Sequence, residues 1–148
     1  MQIRGGDKLE LALSKIAKNV ERAAEVQIGF LPDAKYPDGT LVALVAAVQE
    51  FGSSKRGIPP RPFFRGMINA KSGEWPKAVA ELLPANGYDA AKTLDQTGAA
   101  IAGQLQESII TFSGAPLAQS TIDRKGFDKQ LVDTGVMLKS VSHIVVKK

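Results

Sequence analysis

Three prolines in four positions, Pro59, Pro60 and Pro62, divide the chain within the stretch "EFGSSKRGIPPRPFF", Glu50 to Phe64. Each proline holds φ at about −65° and removes an amide donor, so neither a helix interior nor a central strand can pass through them. The apolar segment before them must therefore end, and a new element must start after them. Gly52 suits the C-terminal cap of that first segment. The prolines stiffen the re-entry, so little conformational entropy is lost when it docks. Phe63 and Phe64 then offer apolar surface to the preceding helix, each worth roughly 1.5–3 kcal/mol if buried. The stretch reads as a rigid wedge, framed by Phe51, Gly52, Ile58, Pro59, Pro62 and Phe63. Its tip, Ser53, Ser54, Lys55 and Arg56, is expected to be mobile and available to a neighbour. Arg61, held between prolines, can present its guanidinium fork to a carboxylate. Glu50 and Asp133 are the candidates, within one subunit or across a contact between copies.

Periodicity places the other elements. Leu9, Leu13, Ile16 and Val20 recur at helical spacing after a candidate cap at Asp7, which predicts an amphipathic helix that buries one face. "EVQIGFL", Glu25 to Leu31, alternates as a strand, and "PDAKYPDG" is a loop. "TLVALVAAVQEF", Thr40 to Phe51, predicts a helix capped by Thr40, with Leu41, Leu44, Val45 and Val48 facing inward. It is apolar nearly all round, so it is expected to be central or covered by a partner. "FFRGMINA" is ambiguous between strand and helix. "EWPKAVAELL" predicts a short helix, with Pro76 tolerated in its first turn. The longest helix is expected from about Tyr88 to Phe112. Its seam is Ala91, Leu94, Gly98, Ile101, Leu105 and Phe112, with Ile109 beside it, and Gly98 and Gly103 mark close packing. Ser113 to Gln130 is a long polar connection. Asp133 or Thr134, ahead of Gly135, would cap a short helix before a last strand, "VSHIVVKK". Two strands among many helical residues predict an α+β fold: one domain over residues 1–148, with a small antiparallel sheet packed by several helices and the first and last strands as neighbours.

Composition narrows the chemistry. The 148 residues include no cysteine and a single histidine, His143, which excludes disulfide frameworks, thiolate metal sites and multi-histidine metal sites. No apolar run approaches the roughly 20 residues that span a bilayer, and the N-terminus lacks the layout of a signal peptide, so synthesis in the cytoplasm is expected. The net charge of +4 is mild. Its small clusters, Lys55–Arg56, Arg124–Lys125 and Lys147–Lys148, read as solvated surface; contact with DNA is permitted but not predicted.

Individual motifs favour structural readings. "DTG" at Asp133 to Gly135 is the triplet of aspartic proteases. Too little chain follows it to build substrate walls, and helix capping explains it. "RGIPPRP" fits a polyproline ligand, but prolines also fix loops inside domains. His143 with Asp123, Asp128 or Ser142 lacks any spacing that fixes a triad. Phe63, Phe64 and Trp75 near Arg61 and Arg65 could stack bases, but adjacent aromatics after prolines are more often core anchors. No phosphate-binding glycine loop or H-E-x-x-H is present.

The order of two blocks is more specific than any motif alone. "DGTLVALVAAVQEFG" leads into "IPPRPFFRGMI", and "APLAQSTIDRKGFDKQLVDTGVMLKSVSHIV" follows much later. This order resembles the phage tail-completion and neck proteins, which include minor tail proteins of the Z type and virion morphogenesis proteins of Mu-like phages. The matched positions are Glu50, Phe51, Gly52, Ile58, Pro59, Arg61, Pro62 and Phe63, then Pro116, Leu117, Thr121, Arg124, Lys125, Gly126, Leu131, Asp133, Thr134, Gly135, Leu138 and Ser140. Gln49 stands where the family usually has Asn, and Gln130 where it has Pro. The resemblance implies a non-enzymatic virion protein at the tail or head–tail junction, with no catalytic residue, metal or cofactor. It implies self-association, as in a six-membered ring, and docking on the tail tube, terminator or head connector. Assembly contacts are then expected from Glu50, Ser53, Ser54, Lys55, Arg56, Arg61, Arg124 and Lys125. The alternative from another class is a small DNA-binding accessory protein of phage packaging, which a steep salt dependence of duplex binding would mark.

Overall fold

The computed structural model describes residues 6–21, 23–112 and 135–147. They form α1 (Gly6–Val20), β1 (Ala23–Phe30), α2 (Val42–Phe51), α3 (Phe63–Lys71), α4 (Trp75–Ala85), α5 (Ala90–Thr111), α6 (Val136–Lys139) and β2 (Val141–Lys147). Single 3-10 turns lie at Ser54–Arg56 and Ser72–Glu74. The fold is α+β, and β1 pairs with β2 in a two-stranded antiparallel sheet, the partnership expected of the first and last strands. The ambiguous "FFRGMINA" is helical. Two compact units divide the described residues: those of Met1–Gln27, Glu74–Ala99 and His143–Lys148, and those of Ile28–Gly73 and Ala100–Ser142.

In the first unit, α5 begins where Asp89 accepts the Lys92 amide at 3.1 Å, an N-cap in the usual geometry. The buried hydroxyls of Thr93 and Thr97 each donate to the carbonyl one turn earlier at 2.8 Å, so neither is stranded. Gly98 sits against the strands. A Cβ built there would lie 2.6 Å from Val26 Cγ2 and 2.8 Å from His143 Cδ2. This is the close packing expected of it. Gly103 differs: a Cβ there would meet nothing within 4 Å. His143 Nε2 lies 2.8 Å from Asp95 Oδ1, which ties the histidine to α5; Asp123 and Asp128, weighed for a triad, lie outside the described residues.

The apolar stripe of α1 is not buried. The helix has no buried residue, and Leu9, Leu13 and Val20 are exposed. It touches the rest of its unit on one flank, where Ile16 is half-buried and the Asn19 side chain donates to the Gly87 carbonyl at 3.3 Å. Helical spacing sets which face is apolar; it does not supply something to cover that face.

In the second unit, Val42, Phe63, Leu105, Ile109 and Met137 are the fully buried apolar side chains. Ile101, Leu105 and Ile109 lie on the seam expected of α5. Ser108 donates to the Phe63 carbonyl at 2.7 Å, which fastens α3 to α5. The Leu31 amide donates to Ser140 O at 2.8 Å beside the sheet.

One expected cap is replaced. Thr40 does not cap α2; its amide is bound by the Asp38 carboxylate at 2.9 Å, which holds that carboxyl below its ordinary pKa, and Leu41 is the N-cap. Gly135, at φ 76°, is the N-cap of α6, with no side-chain hydrogen bond. Asp133, Thr134, Arg124, Lys125 and the Ser113–Gln130 connection lie outside the described residues. The inward face of α2 also differs from the expected one: Val42, Ala46 and Glu50 are buried, four residues apart, while Leu41 and Leu44 are exposed. The turn that holds the reason is at the far end of the helix, where Glu50 is drawn inward to serve α3.

Candidate functional site

Gly52 ends α2 with its amide on Val48 O at 2.8 Å, at φ 74° and ψ 178°. The tip then closes on itself. Ser53 and Ile58 exchange both backbone hydrogen bonds, at 2.8 and 3.0 Å, around the 3-10 turn and a left-handed Gly57. The segment expected to be mobile is thus a hydrogen-bonded turn, and it does present Ser54, Lys55 and Arg56 to solvent. Its two exchanged bonds hold the loop at its neck, which the run of small and basic residues did not signal.

The chain re-enters as anticipated, and proline geometry sets how. Pro62, at φ −77° and ψ 62°, is the centre of an inverse γ-turn in which the Phe63 amide donates to Arg61 O at 2.8 Å. α3 starts directly after it. Pro62 is the N-cap and has no side-chain acceptor to offer the first-turn amides. Glu50 supplies one from α2. Its carboxylate accepts the Phe64 amide at 2.9 Å, the Arg65 amide at 3.1 Å and Arg65 Nε at 2.7 Å. Arg65 also donates to the Glu50 carbonyl at 3.1 Å, and its guanidinium lies 4.9 Å from the centre of the Phe51 ring. The wedge is therefore a locked joint between α2 and α3. Phe63 is buried in it, edge-on to Phe30 with ring centres 6.2 Å apart. That rules Phe63 out as a base-stacking platform.

Arg61 does not take Glu50, the first of its two candidate carboxylates. Glu50 is occupied by α3 and Arg65, and Asp133 lies outside the described residues. Arg61 is only 7% exposed. Its Nη1 donates to the Gln49 side-chain oxygen at 2.7 Å, its amide donates to the Gln49 carbonyl at 2.7 Å, and its Nε has no hydrogen-bond partner among the described residues. Burial lowers its pKa from the ordinary value. Among the described residues this buried cation faces a neutral amide and no counter-charge, so it loses hydration without that return. Arg61→Met, which keeps the length and the backbone bond, is accordingly expected to change the unfolding free energy by no more than about 1–2 kcal/mol, and towards stability. Urea denaturation measures this, and a loss above about 3 kcal/mol would mean that a carboxylate does hold the guanidinium.

Beside the joint, α2 and α3 leave a groove open. It encloses about 340 Å³. Ala43, Ala46 and Ala47, the aromatic rings of Phe30, Phe51, Phe63 and Phe64, and the side chains of Glu50 and Arg65 line it. Phe51 is 66% exposed, and Leu44, on the same helix, is 58% exposed. Of the residues singled out in the sequence, the structure brings together Glu50, Phe51, Phe63, Phe64 and Arg65 here, with Arg61 close in the chain. The Lys55–Arg56 tip is not part of the lining. Gln49 and Arg65 were not recognised as partners. One signal was legible: a helix preceded by proline, with no Ser, Thr, Asp or Asn to cap it, needs an acceptor from elsewhere. No family model, curated protein or solved structure matches this chain.

Proposed function

We propose that the chain is a non-enzymatic structural protein of a phage or prophage virion, which completes the tail or joins it to the head by self-association and docking. The observation that carries this reading is the open apolar groove between α2 and α3. It lies within the segment whose motif order, Glu50–Phe51–Gly52 then Ile58–Pro59 then Arg61–Pro62–Phe63, resembles tail-completion and neck proteins. Phe51 and Leu44 project from the side of α2 away from its buried Val42, Ala46 and Glu50, and exposed apolar surface of this kind marks contact sites. The locked joint below gives that surface a fixed shape, so docking costs little ordering.

Particle assembly in the phage or prophage that encodes the chain tests this. Deleting the gene should leave filled heads and tails that fail to join, or tails of uncontrolled ends, in electron micrographs. Wild-type protein supplied in trans should restore joined particles, and Phe51→Asp, a change at an exposed site, should fold but restore fewer than about one tenth as many. Infectious particles of normal form without the chain would overturn the reading.

A further inference from the structure

Two of the exposed apolar surfaces among the described residues can be set against each other. One is the α2/α3 groove. The other is the stripe of α1, where Leu9 is 62% and Leu13 56% exposed, with Val20 also open. We infer that the α1 stripe of one copy docks in the α2/α3 groove of the next, so that copies join head to tail. This deepens the proposed function, since it rests on the self-association in that reading and names its surfaces.

Shape supports the match. From Leu9 to Val20 the stripe runs about 17 Å, and α2, with ten residues, runs about 15 Å. Alanines in the lining, of which Ala43 and Ala47 are exposed, let a second helix come close, and the aromatic side chains beside them offer apolar contact to a ridge of leucines. Charge sets the direction. At 100° per residue, Glu10 and Glu21 flank one side of the stripe and Lys8 and Lys15 the other, all exposed. Arg65 lines the groove and, though paired with the buried Glu50, keeps its own side chain half-exposed, so the glutamate flank fits against it and the lysine flank faces away. The occupant is a second copy because both halves of the contact are open in a single copy. A contact between two different patches is heterologous: it repeats from copy to copy and closes into a ring where the rotation permits.

Sedimentation of the full chain over a range of concentrations, with its variants, tests the inference. The wild type should self-associate. Leu9→Glu/Leu13→Glu, at exposed sites, and Ala47→Glu, in the groove lining, should each raise the concentration needed for association at least tenfold. Mixed together, the two variants should form a one-to-one dimer and nothing larger, because only one intact contact is left between them. Circular dichroism checks that each is folded. A cross-link keeps the test decisive if Ala47→Glu does not fold. The chain has no cysteine, so Leu13→Cys protein mixed with Ala47→Cys protein should yield a mixed disulfide under mild oxidation. Leu13→Cys mixed with Lys77→Cys, at an exposed site on α4, should not. A wild type that stays monomeric at several hundred micromolar, α1 variants that associate like wild type, or equal cross-linking in both mixtures would overturn the docking. Each of those results leaves the role in particle assembly to be judged by the deletion experiment.

Discussion

Glu50→Ala is expected to lower the unfolding free energy by about 3–5 kcal/mol. The carboxylate is buried and accepts three hydrogen bonds from α3, two from backbone amides and one from Arg65 Nε. Alanine leaves both part-buried amides without that acceptor, and an unsatisfied donor costs roughly 1–3 kcal/mol where water does not replace the partner. Pro62, the N-cap, has no side chain that can take over. Arg65→Ala separates the capping role from the ion pair. Its side chain is half-exposed, so the pair itself is worth about 1 kcal/mol or less, and the amides keep their acceptor. Glu50→Gln should fall between the two, because one amide oxygen remains while the new NH₂ faces a donor. Urea denaturation with an unchanged slope reads these differences directly. If Glu50→Ala matched Arg65→Ala, α3 would not depend on the borrowed cap. Since whole-domain stability is only about 5–15 kcal/mol, the predicted loss is enough to depopulate the joint and the groove it shapes.

The parts of the fold that were legible are those with local causes. Gly52 at the end of α2, Pro76 in the first turn of α4 and the apolar seam of α5 follow from backbone restriction and helical period. Each requires only neighbouring residues to be understood. Gly98 was legible as a close approach, but Gly103, five residues on, carries the same signal and meets nothing, because a glycine records what the backbone permits and not what lies beside it. The inward face of α2 was misread for a related reason. Hydropathy favours Leu44 over Glu50 inside, yet a capping demand from a helix beginning at Phe63 turns the glutamate inward and the leucine out.

The same distinction governs the candidate site. The wedge and the burial of Phe63 were readable from prolines followed by aromatics. The pairing was not. Arg61 sits between prolines, where a fork to a carboxylate is expected, while Arg65, two residues into the helix, makes that contact. The choice depends on where α3 begins: the γ-turn at Pro62 brings the Phe64 and Arg65 amides to the Glu50 carboxylate, and the Arg65 side chain follows its own backbone there. The exposed stripe of α1 could be drawn from the sequence in full, and only its exposure is new.

Gly52→Ala is expected to cost about 3–5 kcal/mol, from two additive causes. At φ 74° and ψ 178° the residue lies in a region of backbone space that is open in practice only to glycine, worth roughly 1–3 kcal/mol of strain for any other residue. A Cβ would also lie 2.7 Å from Ile58 O, 2.8 Å from Pro60 N and 3.0 Å from Pro60 Cδ. These neighbours are backbone and a proline ring, and they cannot rotate away as a flexible side chain would. The segment that bears them is fixed at both ends, by the Ser53–Ile58 pair and by the Arg61 amide on Gln49 O, so relief requires breaking one of those bonds. Gly57→Ala is the control. It too has positive φ, 65°, but a Cβ there would meet nothing within 4 Å, and its cost should stay at about 1–2 kcal/mol. Chemical denaturation of the two variants compares them. A Gly52→Ala loss no larger than that of Gly57→Ala would show that the proline segment yields. In that case the α2/α3 joint would not be the rigid frame on which the groove depends.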